Sequence, residues 1–256
     1  MPSGSEPTLA TDLQERAARA LPAEHVERLG GWWLRHAPGC AWWVGTVLPH
    51  GTADGPGELA VRVTEVERYY AERGSQARFQ ITAGVAPEGL DELLAERGYR
   101  RHGLMSLRAA PTCRVLERAG SGSPCLRVQE RPTRAWFETW HAVSGTDTDP
   151  SGEWALLRRV RSLSAYACAL AGDEVVAVGR AVADTGWAGL FGMATRARAR
   201  GRGAARGVLA ALARWADANG ADHLYLQVER DNAAAVRLYE GMGFGEVSEY
   251  HYRVAT

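Results

Sequence analysis

The chain has 256 residues, 46% hydrophobic and 23% charged, with thirty acidic and thirty basic side chains and a formal net charge of zero. No apolar run approaches the ~18 residues that span a bilayer, and the balanced charge argues against a general nucleic-acid binder, whose surface is clearly basic. The length suffices for one large domain or two small ones, each with a real core. All thirty basic side chains are arginine, a bias that fits a GC-rich genome. The first residues contain no apolar signal segment, so a loose tail and a cytoplasmic location are expected. Cys40, Cys113, Cys125 and Cys168 form no CxxC pair and have no histidine at zinc spacing. They read as reduced thiols, and no metal is expected.

In chain order, 11–29 reads as a helix, and 32–35 and 40–48 as strands around the turn Pro38-Gly39. The pairs Trp32-Trp33 and Trp42-Trp43 read as packing residues. A loop follows at 50–57. Helical spacing over 58–73 places Leu59, Val63, Val66 and Tyr70 on one side, with Gly74 as the stop. A strand at 77–82, a helix at 88–96 closed by Gly98 and a strand at 101–107 complete the first half. Residues 111–124, rich in Pro, Gly and Ser, read as a linker.

The second half reads as a strand at 126–129, a helix at 134–143, a loop at 146–152 and a helix at 153–161. Strands at 165–170, 174–182 and 187–194, joined by short Gly and Asp turns, suit an antiparallel meander. A helix over 205–219, a strand at 223–228, a helix at 232–242 and a strand at 246–254 finish the chain. Laid against each other, 79–107 and 224–252 align without a gap, so that Gly98 meets Gly243 and Tyr99 meets Phe244. The chain reads as an internal repeat with a copy length of about 100 residues.

The stretch 193–219 carries the strongest chemical signal. A strand feeds an arginine- and glycine-rich turn, which opens a helix with Ala205, Val208, Leu209, Leu212 and Ala216 on one face. The first amides of such a helix have no intrahelical acceptor, and the macrodipole makes that end positive, so the arrangement is a phosphate cradle. Arginines 196, 198, 200, 202 and 206 add to the potential. In the first copy, Asp54 stands opposite Arg200, Glu58 lies near the helix start and Leu94 faces Tyr239, so that copy reads as a scaffold without the site.

The second half resembles the GCN5-related N-acetyltransferases (GNAT). The resemblance rests on Arg200-Gly201-Arg202-Gly203-Ala204-Ala205 and, downstream, on Asn232, Ala235, Leu238-Tyr239 and Gly243-Phe244, in the expected order. It implies two GNAT-like α/β domains, each a mixed, mostly antiparallel sheet flanked by helices. The first, 1–110, is degenerate; 111–124 links it to the catalytic copy, 125–256.

The resemblance further implies acetyl-CoA as the cofactor, held by Met193, Ala194, Arg200, Gly201, Arg202, Gly203, Ala204, Ala205, Arg206 and Asn232, with Tyr239 as the acid for the leaving thiolate. The family often places a glutamate on the strand before the loop, but 187–194 holds no carboxylate. Glu229, Asp147, Asp149, His141 or an ordered water are the alternatives for the base, with Glu229 the first choice. Trp140, His141, Asp147 and Trp154, with Trp136 and Tyr166, are candidates for the acceptor pocket. The expected acceptor is a small-molecule amine such as an amino acid, amino sugar or antibiotic. Protein acetylation and a non-catalytic acyl-CoA sensor are the alternatives. The chain is expected to act as a monomer or homodimer, without nucleic-acid or membrane partners.

Overall fold

The computed structural model describes residues 6–51, 55–119, 125–145 and 148–255. Two compact units are present, Met1–Ser106 with Val247–Thr256, and Leu107–Glu246. No helix of the described residues is long and apolar enough to cross a membrane.

The first unit holds α1 (Glu6–Ala20), β1 (His25–Leu29), β2 (Trp32–His36), α2 (Pro56–Ala71), β3 (Arg78–Thr82), α3 (Leu90–Glu96) and most of β4 (Arg100–Pro111). The helix expected over 11–29 ends at Ala20, and 25–29 is a strand instead. Gly30 and Gly31, at φ +52° and +87°, form a two-residue turn that pairs β1 with β2, and a glycine pair supplies that conformation without a Cβ penalty. The strand expected over 40–48 is also corrected. A single 3-10 turn occupies Trp42–Gly45, and only Val47 and Leu48 make sheet bridges. Trp32 and Trp33 are buried in the unit, whereas Trp43 is exposed.

The second unit holds α4 (Thr112–Arg118), β5 (Cys125–Gln129), α5 (Arg134–Ser144), α6 (Pro150–Arg159), β6 (Ser164–Ala171), β7 (Glu174–Asp184), β8 (Trp187–Thr195), α7 (Ala204–Ala218), β9 (His223–Glu229) and α8 (Ala233–Gly241). The segment read as a linker therefore contains a helix, with Thr112 and Val115 buried. Its start is anchored where Thr112 donates from its amide to Asp222 O (2.8 Å) and from its hydroxyl to Ala221 O (2.6 Å). β6 to β8 form the expected antiparallel meander, β5 pairs antiparallel with β6, and β8 pairs with β9 in parallel.

The last strand, β10 (Gly245–Val254), lies between β3 and β4 in the first unit. In the second unit the order is β4, β9, β8, β7, β6, β5, with residues 107–111 of β4 beside β9. The gapless repeat places β3 on β9 and β4 on β10. Each unit is thus completed by the closing strand of the other copy.

The core of the second unit is the buried face of α7, where Val208, Leu209 and Leu212 are inaccessible to solvent. Each such side chain contributes about 1.5–3 kcal/mol relative to exposure. In the first unit, α2 and α3 supply Val63, Val66, Leu90 and Leu94 to a cluster with Phe79 and Ile81.

Near its end, β10 is clasped to α3. Asp91 accepts from Arg253 Nε (2.7 Å) and Nη2 (3.0 Å) and lies 2.9 Å from His251 Nε2. The Arg253 hydrogen bonds, opposed by burial and aided by His251, lower the Asp91 carboxyl to about 2. A depressed carboxyl stabilises the fold above its unfolded value and loses that contribution as pH falls through the folded value. Asp91→Asn is expected to cost about 1 kcal/mol at pH 7 after solvent screening. Urea titrations at pH 7 and pH 2.5 should show the gap from wild type shrinking at the lower pH.

Candidate active site

One local irregularity shapes the site. Along β7 and β8, Val178 pairs with Ala194 and Arg180 with Phe191, so Gly179 alone faces both Gly192 and Met193. The extra residue is a β-bulge, which bends its strand. Pairing of β8 with β9 runs only from Trp187/His223 to Leu190/Leu226, although the strands continue to Thr195 and Glu229. Beyond Leu190 the two diverge, and the edge of β8 at 191–195 is left without its β9 partner. Gly179 permits the bulge because a Cβ there would run into Met193 Sδ and lie 2.9 Å from Val208 Cγ1.

The turn after β8 opens α7. Gly201 and Gly203 have φ of +72° and +79°, and a Cβ on either would meet nothing within 4 Å. The cradle is therefore open, bordered by the free amides at the start of α7. Ala204 is buried and Ala205 half-buried on the helix side, and Arg200, Arg202 and Arg206 are exposed. Open amides, the positive helix end and exposed guanidinium groups fit a pyrophosphate.

The arginine run is divided in its use. Arg198 is ion-paired with Glu174; Arg196 lies 3.8 Å from the same carboxylate and donates to Val175 O (3.1 Å) and Thr139 Oγ1 (3.2 Å). These two are committed to the protein. Arg200 makes only a 3.3 Å bond to Thr195 O, and Arg202 makes none among the described residues. At the equivalent place in the first unit, α2 carries Glu58 in its first turn, ion-paired with Arg62. Asp54 lies outside the described residues.

α8 supplies the remaining groups. Asn232 caps it, its Oδ1 accepting from the Ala235 amide at 3.1 Å. Tyr239 is its one buried residue. Its hydroxyl makes no hydrogen bond among the described residues, and burial alone pushes it up to about 12. It is a neutral proton donor throughout the physiological range. Glu229, at the end of β9, is exposed, and its carboxylate makes no bond among the described residues.

A family model described as "Probable histone acetyltransferase Rv0428c C-terminal" matches residues 11–254. The chain belongs to this acetyltransferase family. It is 26% identical over 249 residues to the "Uncharacterized N-acetyltransferase YobR" of Bacillus subtilis (strain 168), covering 94% of this chain and 97% of that one. Among solved structures it is similar to a GCN5-related N-acetyltransferase from Kribbella flavida, with a TM-score of 0.74, 16% identity and coverage of 99% and 96%. It is also similar to a tandem GNAT protein from the clavulanic acid biosynthesis pathway, with a TM-score of 0.60, 12% identity and coverage of 98% and 96%. At such identities these last two likenesses concern the fold alone. The chain is a GNAT protein with a mixed, mostly antiparallel sheet flanked by helices.

In this GNAT fold α5 packs on β7 and β8. Gly192 of the bulge faces Trp136 and Trp140, the nearest ring atoms 3.3–3.4 Å from where its Cβ would be. Trp140 thus lies against the bulge of β8. Trp136 donates from Nε1 to Ala167 O and Gly179 O, both at 3.1 Å, with its ring against Tyr166. His141 and Trp154 instead gather around Phe137, at 5.7 and 5.1 Å between ring centres. Asp149 is the N-cap of α6, its carboxylate accepting from the Ser151 and Gly152 amides at 3.1 Å. Asp147 lies outside the described residues.

Sequence reasoning missed Arg180, buried on the face of Tyr166 and positioned over the Phe191 ring at 5.1 Å. Burial lowers its guanidinium pKa, and Tyr166 and Glu153 raise it. A single charge in the apolar run of β7 was the available signal.

Gly179→Ala should overpack the bulge and cost about 1–3 kcal/mol. Thermal melting should record the loss, and Met193→Ala in the same chain should restore part of it.

Proposed function

We propose that this GNAT protein transfers an acetyl group from acetyl-CoA to the primary amine of a small molecule. The observation that carries this reading is the combination, in one unit, of an open glycine cradle, a strand edge released beyond Leu190 and a buried, protonated Tyr239. When bound, acetyl-CoA supplies the acetyl thioester, whose sulfur leaves as thiolate. The amides from Gly201 to Arg206, with Arg200 and Arg202, hold the pyrophosphate, and Asn232 contacts the cofactor arm. The freed edge of β8 would pair with that arm, and an amide at Met193 or Ala194 would donate to the thioester carbonyl. The attacking amine must be neutral, and Glu229, directly or through water, would take its proton as a C–N bond replaced the C–S bond. Tyr239 donates its proton to the departing sulfur.

Trp140 beside the bulge supplies an aromatic wall suited to a small acceptor. Residues 125–256 act as the catalytic copy, and 1–110, with acidic Glu58 at the helix start, as a copy without the site. A protein amino group is the second reading, favoured by the description of the matching family. CoA release should be measured with purified protein, acetyl-CoA, a panel of small amines and a histone-tail peptide. Release with a small amine is expected. Release only with the peptide would transfer the assignment to proteins, and cofactor binding without release would make the chain a sensor.

Tyr239→Phe should lower kcat by about 10²-fold while leaving acetyl-CoA affinity within about twofold, because the hydroxyl acts only on the leaving group. Since the hydroxyl ionises only at about 12, the wild-type rate should show no alkaline loss attributable to Tyr239 up to pH 10. Arg200→Glu should weaken acetyl-CoA binding at least about tenfold by calorimetry.

A further inference from the structure

Residues 107–118 belong to the end of the first copy and the segment after it, yet in the second unit they hold both helices that form the site. Buried Arg108 places Nη1 3.1 Å from Glu240 Oε1 and Nη2 3.9 Å from Glu246 Oε2. Arg118, at the end of α4, donates from Nη1 to the Glu240 carbonyl at 3.4 Å. Its own carbonyl accepts from Arg206 Nη1 at 3.1 Å. The stem of Arg114 packs on Gly243, where a Cβ would lie 2.8 Å from its Cγ. Phe244 and Gly243 donate from their amides to the Tyr239 and Glu240 carbonyls at 3.0 and 2.9 Å, closing the end of α8. The result is a chain of contacts from α7, through α4, to the residue beside Tyr239.

We propose that Arg108 and Arg118 are positioning residues that aim the Tyr239 hydroxyl with respect to the cradle helix. α8 has nine residues and a single buried one, too short to be rigid alone. A proton donor must stay within hydrogen-bond reach of the sulfur, and a 1 Å displacement can cost about 10²-fold. The arginines act through geometry, because burial is the sole cause of the raised Tyr239 pKa. This assignment rests on Tyr239 being the acid. It gives the first copy a part in the reaction that needs no ligand of its own.

The test is a double-mutant cycle in the full chain. Arg108→Gln is expected to lower kcat about tenfold in the otherwise wild-type protein, with acetyl-CoA affinity unchanged within twofold, and to have no further effect in Tyr239→Phe. The pH profile should keep its shape, and Arg108→Lys should restore part of the rate. An unchanged kcat, or the same tenfold loss in both backgrounds, overturns the proposal. If Arg108→Gln does not fold, exposed Arg118→Gln takes its place in the cycle. Hydrogen exchange of the α8 amides is read in parallel and needs no acceptor; about fivefold faster exchange is expected in the variant. Unchanged exchange overturns the positioning role, whereas absence of CoA release by wild type with every amine overturns the transfer reading alone.

Discussion

The divergence of β8 from β9 after Leu190 is the constraint on which the site depends. A continuous ladder would satisfy every peptide group along β8 and leave a ligand nothing to pair with. The bulge at Gly192–Met193, in the pairing of β7 with β8, bends the strand just past its last pair with β9, and Gly179 makes the bulge sterically possible. Beyond the bulge the end of β8 feeds the glycine turn, and the turn opens α7. Packing of Val208 and Leu212 against Gly179 makes the irregularity part of the core.

Electrostatics is apportioned locally. The chain is neutral as a whole, but the cradle has no acidic residue in the first turn of its helix. Glu174 takes Arg198 and lies close to Arg196, so positive charge is left at Arg200 and Arg202, the part of the run nearest the open amides. Tyr239 represents the opposite strategy, since burial among apolar groups keeps its proton on without any charged neighbour. A positive helix end and a hydroxyl that keeps its proton thus coexist in one unit because different physical terms govern them.

The two sequence copies depend on each other for their sheets. The closing strand of each copy serves the other unit, so β10 completes the first sheet and residues 107–111 the second. Loss of either copy would expose an unpaired strand edge in the remaining one. The Asp91–Arg253 clasp and the Arg108–Glu240 pair lie on these exchanged strands, which places strong polar contacts where each unit depends on the other copy's chain.

Much of this was legible in the sequence, because it follows from local pattern. Helical and strand periodicity located α2, α7 and α8 and the meander β6 to β8, the spacing of Gly201 and Gly203 marked the turn that opens α7, and the gapless repeat paired β3 with β9 and β4 with β10. Local pattern failed where a turn or a distant partner decided the outcome. The Gly30-Gly31 hairpin replaced the end of a helix, and α4 formed in a segment whose composition suggested a linker. The bulge, the burial of Arg180 and the divergence of β8 from β9 have no local signature. They depend on which strands pair and which helix covers each face. Sequence alone thus determined which groups are available and the order of elements that carries them; tertiary structure decided which groups are free, because burial and pairing are properties of neighbours far apart in the chain.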